Sequence, residues 1–218
     1  MKQETIEFLL NLNRDFYDTY AKSFSSTRYT IQPGIRRLLP QLRDSDNLLD
    51  LGCGNGNLAK VLLEIGFSGN YLGVDNSPSL LADAAITIPE SEKERFTFQQ
   101  VDLSAQFQTL PNQVRFDAIA CFAVIHHFPV DPYLSRFFEF AAQSLQPFGK
   151  LFFSTWQIKN NRRLANRIQS WSTQNIDNQE LSEDGTGSGA DGHPDANFTG
   201  AFCYRNQHYV HNADTANQ

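Results

Sequence analysis

Residues 48–58 read Leu-Leu-Asp-Leu-Gly-Cys-Gly-Asn-Gly-Asn-Leu, a short apolar run that breaks at three alternating glycines and resumes as a helical pattern through Leu63. The run ahead of Gly52 suits a buried strand. Gly52, Gly54 and Gly56 then permit a tight turn, where a ligand can lie close to the backbone. The next apolar stretch, Tyr71-Leu72-Gly73-Val74, ends in Asp75. A carboxylate at a second strand tip ~20 residues on can accept both hydroxyls of a ribose. Two strand tips therefore face one crevice, and a nucleoside-bearing cofactor suits it.

Several nucleotide-binding families share such a turn, so its surroundings must choose between a nicotinamide dinucleotide and S-adenosylmethionine. The third glycine falls one position early for the dinucleotide pattern, leaving Asn57 where that pattern wants Gly or Ala, and Asp50 stands just before the turn. A third strand candidate, 96–101, ends in Asp102, placed to accept from the exocyclic amine of an adenine. A fourth, 116–122, runs into Ala123-Val124-Ile125-His126-His127-Phe128. These details favour the methyl donor.

The series D-L-G-C-G-N-G, V-D-N-S, V-D-L, F-D-A-I-A-C and V-I-H-H-F resembles that of class I S-adenosylmethionine-dependent methyltransferases, in order over residues 47–156. The resemblance implies that Gly52 and Gly54 pass under the methionine part, Asp75 holds the ribose, Asn76 flanks the adenine and Asp102 with Leu103 frames its edge. It also implies that the backbone around Phe122 meets the cofactor's amino group, with Asp50, Cys53, Asn57 and Ser77 completing the candidate cofactor set and S-adenosylhomocysteine as product.

The rest of the chain fits one α/β domain with a doubly wound, mostly parallel sheet, a Rossmann-like fold. Its 218 residues, 40% hydrophobic and 12% aromatic, can bury one good core. Residues 1–45 form an N-terminal helical cap, with an amphipathic helix over 4–24 (Ile6, Phe8, Leu9, Leu12, Phe16, Tyr17 and Tyr20) and a second helix over 33–42. Residues 46–157 form the cofactor-binding core, with helices expected at 57–65, 77–86 and 133–145 and a fifth strand at 149–156 after the turn Gln146-Pro147-Phe148-Gly149. Residues 158–218 follow, with a C-terminal helix carrying a basic segment (Lys159, Arg162, Arg163, Arg167), a polar mobile loop over 172–197 and one strand around 201–210. The family usually finishes its sheet with a two-stranded hairpin, so an incomplete, truncated or atypical C-terminus is expected.

A net charge of −6 and a pI near 5.3 exclude the overall basic footprint of a general nucleic-acid binder, so any RNA contact is local. Cys53, Cys121 and Cys203 are too few and too scattered for a disulfide framework or a zinc site, which suits a reducing compartment. No signal run or membrane-length apolar stretch is present, and a cytoplasmic protein without a bound metal is the expectation.

Residues 16–33, Phe16-Tyr17-Asp18-Thr19-Tyr20 through Phe24-Ser25-Ser26-Thr27-Arg28 to Gln32-Pro33, resemble a segment of the eukaryotic tRNA wobble-uridine carboxymethyl methyltransferases, with the F-S-x-T-R core matched fully. That resemblance implies a tRNA carboxylate as acceptor and a small zinc-bearing partner protein; Gln32 departs from the family's Trp. Transfer from a sulfonium rests mainly on orientation. A carboxylate acceptor needs no general base, whereas for a hydroxyl or amine His126 or His127 can take the proton. Arg28 is the candidate clamp for the cofactor's or acceptor's carboxylate, since its fork binds in two places, and Tyr20 the candidate to close over the methionine end. Arg28 and His126 are thus the catalytic candidates. A small-metabolite methyltransferase and a cofactor-binding scaffold without turnover are the competing readings.

Overall fold

The strand ahead of the glycine turn, β1 (Asn47–Leu51), is buried from Leu48 onward and runs through the middle of the sheet. The computed structural model describes residues 1–27, 31–44, 46–105, 110 and 114–155, with backbone alone for residue 18 and residues 21–27. Among these, β2 (Asn70–Asp75), β3 (Phe96–Gln100), β4 (Phe116–Phe122) and β5 (Leu145–Ser154) join β1 in one sheet of order β3-β2-β1-β4-β5. Every pairing is parallel. Such a sheet is covered on both faces and needs strands that are apolar on both.

Successive side chains of a strand point to opposite faces, and β1 and β4 show what that does. Leu49, Leu51, Ile119 and Cys121 meet Leu134, Phe137 and Ala141 of helix α5 (Asp131–Ser144). Leu48, Ala118 and Ala120 meet Leu58, Ala59, Val61 and Leu62 of helix α3 (Asn57–Glu64). Helices on the two faces make the sheet doubly wound, as expected. The remaining helices are α1 (Gln3–Thr27), α2 (Pro33–Leu38) and α4 (Pro78–Ile86); α1 packs on α4, and α4 on β2 and β3.

Helix ends follow local chemistry. Ser77 caps α4, its Oγ accepting from the Leu80 amide at 3.5 Å, with Pro78 in the first turn. The helix expected over 33–42 stops at Leu38 and tightens into a 3-10 turn at Leu39–Gln41. Pro40 lacks the N–H that a continued α-helix would use, and its ring crowds the preceding turn.

The fifth strand begins earlier than the sequence suggests. Leu145 already pairs with Phe116, and pairing resumes at Lys150 with Ala118, so residues 146–149 bulge outward. Phe148, at φ 65, is fully exposed in that bulge. The residues expected to form a turn thus lie inside the strand. Residue 156, the basic segment, the polar loop at 172–197 and the strand around 201–210 lie outside the described residues.

Phe137 sits at 0% exposure in the α5 face of the core. Phe137→Ala is expected to destabilise the fold by about 3–5 kcal/mol, read from the urea midpoint at constant slope.

Candidate functional site

Gly52, Gly54 and Gly56 take φ of 78°, 55° and 76°, values that other residues adopt only with strain. The turn is pinned to the neighbouring strand, since the Gly52 and Cys53 amides both donate to the Val74 carbonyl, at 2.8 and 2.9 Å. A Cβ on Gly52 would also stand 2.2 Å from Val124 Cγ2, and one on Gly56 2.8 Å from Ala84 Cβ. The first glycine thus admits the loop after β4, and the third lets α3 approach α4.

Asp75 closes this arrangement. Its Oδ2 accepts from the Gly54 amide at 2.9 Å and its Oδ1 from the Ser77 amide at 3.0 Å. A carboxylate has about four lone-pair sites, so backbone anchoring is compatible with accepting two hydroxyls.

A cleft of about 880 Å³, counting the part open to solvent, lies over the strand tips. Gly52 and Gly54 form its β1 wall, Asp75, Asn76 and Ser77 its β2 wall, Asp102, Leu103 and Ser104 its β3 wall. Phe122, Ala123, Val124, His127 and Phe128 come from β4 and the turn after it. Helix α1 contributes Leu10, Asn13, Arg14 and Tyr17.

Of the residues chosen from sequence, the cleft brings together Gly52, Gly54, Asp75, Asn76, Ser77, Asp102, Leu103 and Phe122. It leaves out Tyr20, which is 51% exposed, together with Asp50, Cys53, Asn57 and His126. Arg28 lies outside the described residues. Of the two histidines, the sequence reading chose His126 as the catalytic candidate. After β4 the chain bends at Ala123, φ 58, into a 3-10 turn over Ile125–His127, where neighbouring side chains diverge by a third of a circle. His126 is therefore buried, at 3% exposure, and His127 faces the cleft.

Three contacts tie α1 to the cleft floor. The Tyr17 hydroxyl lies 2.9 Å from His127 Nε2, Asn13 Nδ2 donates to the His127 carbonyl at 3.3 Å, and Arg14 Nη2 meets Asp102 Oδ2 at 2.8 Å. Leu10, Asn13 and Arg14 were missed in the sequence. Asn13 carried a readable signal, a polar residue in register with the buried stripe Ile6, Leu9 and Phe16.

Beneath the turn, Asp50 is 3% exposed and accepts from the Tyr71 hydroxyl at 2.6 Å. Burial pushes its carboxyl from 3.8 up to about 7, the Tyr71 hydrogen bond opposing and the charge of Asp75 adding to the rise. Burial likewise raises the thiols of Cys53 and Cys121 well above their ordinary value, keeping both as protonated thiols at neutral pH. Asp50 and Cys53 are buried at the base of the turn, whereas Cys121 belongs to the core on the α5 face.

Between about pH 4 and 7 the folded chain holds a proton on Asp50 that the unfolded chain has released, so this group's contribution to stability falls as pH rises through that window. Asp50→Asn keeps an acceptor for Tyr71 without the titration. The parent's urea midpoint should therefore drop more between pH 5 and pH 8 than the variant's; equal drops would contradict the assignment.

Residues 24–184 match the family described as a methyltransferase domain. The ubiquinone biosynthesis O-methyltransferase of Coxiella burnetii is 38% identical over 109 residues, 50% of this chain and 43% of that protein. The tRNA (carboxymethyluridine(34)-5-O)-methyltransferase alkbh8 of Xenopus tropicalis is 30% identical over 145 residues, 66% of this chain and 20% of that protein. The chain thus spans less than half the length of either relative. Among solved structures, a Haloferax volcanii methyltransferase in complex with the Trm112 methyltransferase activator superposes with a TM-score of 0.54 at 19% identity, over 66% of this chain and 60% of that one. YjhP from E. coli gives 0.51 at 20% identity, over 71% and 62%. These two likenesses concern the fold alone.

Proposed function

Because the chain belongs to the methyltransferase-domain family, we propose that it transfers a methyl group from S-adenosylmethionine, releases S-adenosylhomocysteine and acts on a carboxylate of a modified uridine in tRNA. The observation that carries the donor reading is Asp75, braced by the Gly54 and Ser77 amides at the mouth of a glycine-rich turn. The residues fit the donor: acceptors for ribose at Asp75, bare backbone at Gly52 and Gly54, and an apolar slot with a carboxylate at Leu103 and Asp102.

When bound, the donor supplies a methyl group already activated by the positive sulfur. The protein's part is to orient and to exclude water. Neighbouring strands stand ~4.8 Å apart, so the tips from β3 to β4 offer a line of roughly 14 Å along which an extended nucleoside with its amino-acid tail can lie. Asp102 and Leu103 would hold the adenine edge, Asp75 the ribose, and Gly52, Gly54 and the backbone near Phe122 the methionine part. A carboxylate acceptor is already nucleophilic at neutral pH and asks only for position.

Two observations support the tRNA acceptor. The F-S-x-T-R segment at 24–28 resembles the wobble-uridine carboxymethyl methyltransferases, and the Xenopus protein named for that reaction is 30% identical over 145 residues. The same resemblance supports a small zinc-bearing partner protein, and the Haloferax structure shows a similar fold with an activator bound. A second reading, methylation of a hydroxyl on a small molecule, is favoured by the ubiquinone-pathway relative and by His127 in the cleft beside Tyr17.

Calorimetric titration with S-adenosylmethionine and S-adenosylhomocysteine should show binding by both, lost on Asp75→Ala; an undiminished affinity in that variant would mean that the pocket is misassigned. Incubation with labelled donor against bulk tRNA and against a metabolite extract tests the acceptor. Label is expected in tRNA, with His127→Ala retaining kcat within a few-fold. Label confined to small molecules, with a ~100- to 10,000-fold loss in His127→Ala, would select the hydroxyl reading. Donor binding without transfer to either would leave a scaffold.

A further inference from the structure

Asp102, the carboxylate expected to take the adenine amine, is held by more than its own loop. Its Oδ1 accepts from the amide and hydroxyl of Ser104, at 2.8 and 2.5 Å. Arg14 reaches across from α1, with Nη2 2.8 Å from Asp102 Oδ2 and 3.4 Å from Ser104 Oγ, while its Nη1 donates to Asn11 Oδ1 at 2.7 Å. The guanidinium is thus pinned at two points along its edge. Arg14 also lines the cleft, as do the apolar side chains of Leu10, Leu80 and Leu103.

An ion pair this exposed, 37% at Arg14 and 18% at Asp102, adds little to stability. Docking of α1 already has Ile6, Leu9 and Phe16 buried for that purpose. What the arrangement does provide is a flat cation fixed in orientation at an apolar slot, and guanidinium planes stack on base rings. Its charge sits at the β3 end, two strand spacings or roughly 10 Å from the glycine turn, and is balanced by Asp102, so it does not oppose a cationic donor.

We propose that Arg14 is a cofactor-binding residue of the adenine end, its guanidinium face stacking on the purine while its edge holds Asp102 in place to accept the 6-amino group. The proposal rests on the donor reading above. It makes α1 a wall of the donor site.

Isothermal titration of the full chain with S-adenosylhomocysteine and with adenosine tests this, thermal unfolding without ligand being followed in parallel. Arg14→Ala should weaken both ligands by the same factor, about tenfold, because both carry the purine. Arg14→Lys keeps the charge but not the plane and should still lose several-fold; it also serves should Arg14→Ala fold poorly. The informative background is Asp102→Asn. If Arg14 touches the purine, replacing it there still costs several-fold; if it acts only by holding Asp102, no further loss appears, and the proposal is overturned. Unchanged affinities in Arg14→Ala or Arg14→Lys would overturn it while leaving the donor reading intact. A parent protein that binds neither ligand would remove both.

Discussion

One carboxylate joins the parts of this molecule that matter for function. Asp75 ends β2, accepts from the Gly54 amide of the β1 turn and from the Ser77 amide at the start of α4. Two strand tips and a helix entry are thereby locked at a common point, and the cleft takes its shape from that lock. The Val74 carbonyl adds a second tie, receiving the Gly52 and Cys53 amides. Because every donor in this set is backbone, the geometry depends on the course of the chain rather than on rotamers, which suits a site whose work is orientation.

The floor beneath is less ordinary than the apolar core around it. Asp50 and Tyr71 form a hydrogen-bonded pair on the face that α3 covers, beside the apolar Leu48, Ala118 and Ala120. A buried acid facing Asp75 is held near neutrality by desolvation, which limits the negative charge gathered under the turn. The cleft above therefore presents the charge of Asp75 without a second full carboxylate stacked below it.

Much of this was legible in the sequence because the pattern and the chemistry coincide there. Gly52, Gly54, Asp75 and Asp102 sit at strand ends that the alternation of apolar runs and turns locates, and a parallel sheet places strand ends together. Two kinds of information were not legible. His126 and His127 are adjacent, and only the bend at Ala123 decides which enters the cleft. Arg14 and Tyr17 belong to a helix whose docking on α4 is a matter of tertiary packing, so their meeting with Asp102 and His127 is invisible to local periodicity. Tyr20 shows the same limit from the other side: it shares the helix with Tyr17, yet points to solvent. The helix that ends at Leu38 and the bulge inside β5 are milder cases, where Pro40 and the early pairing of Leu145 override the average pattern.

Gly52 is constrained twice over, by its left-handed backbone and by the Val124 methyl that fills the place of a Cβ. Trimming Val124 would relieve the second constraint and leave the first untouched, so the two positions are not a reciprocal pair. Across descendants of this chain, residue 124 can shrink without straining residue 52, giving up only its own core and cleft contacts, whereas residue 52 has no route of escape through a partner.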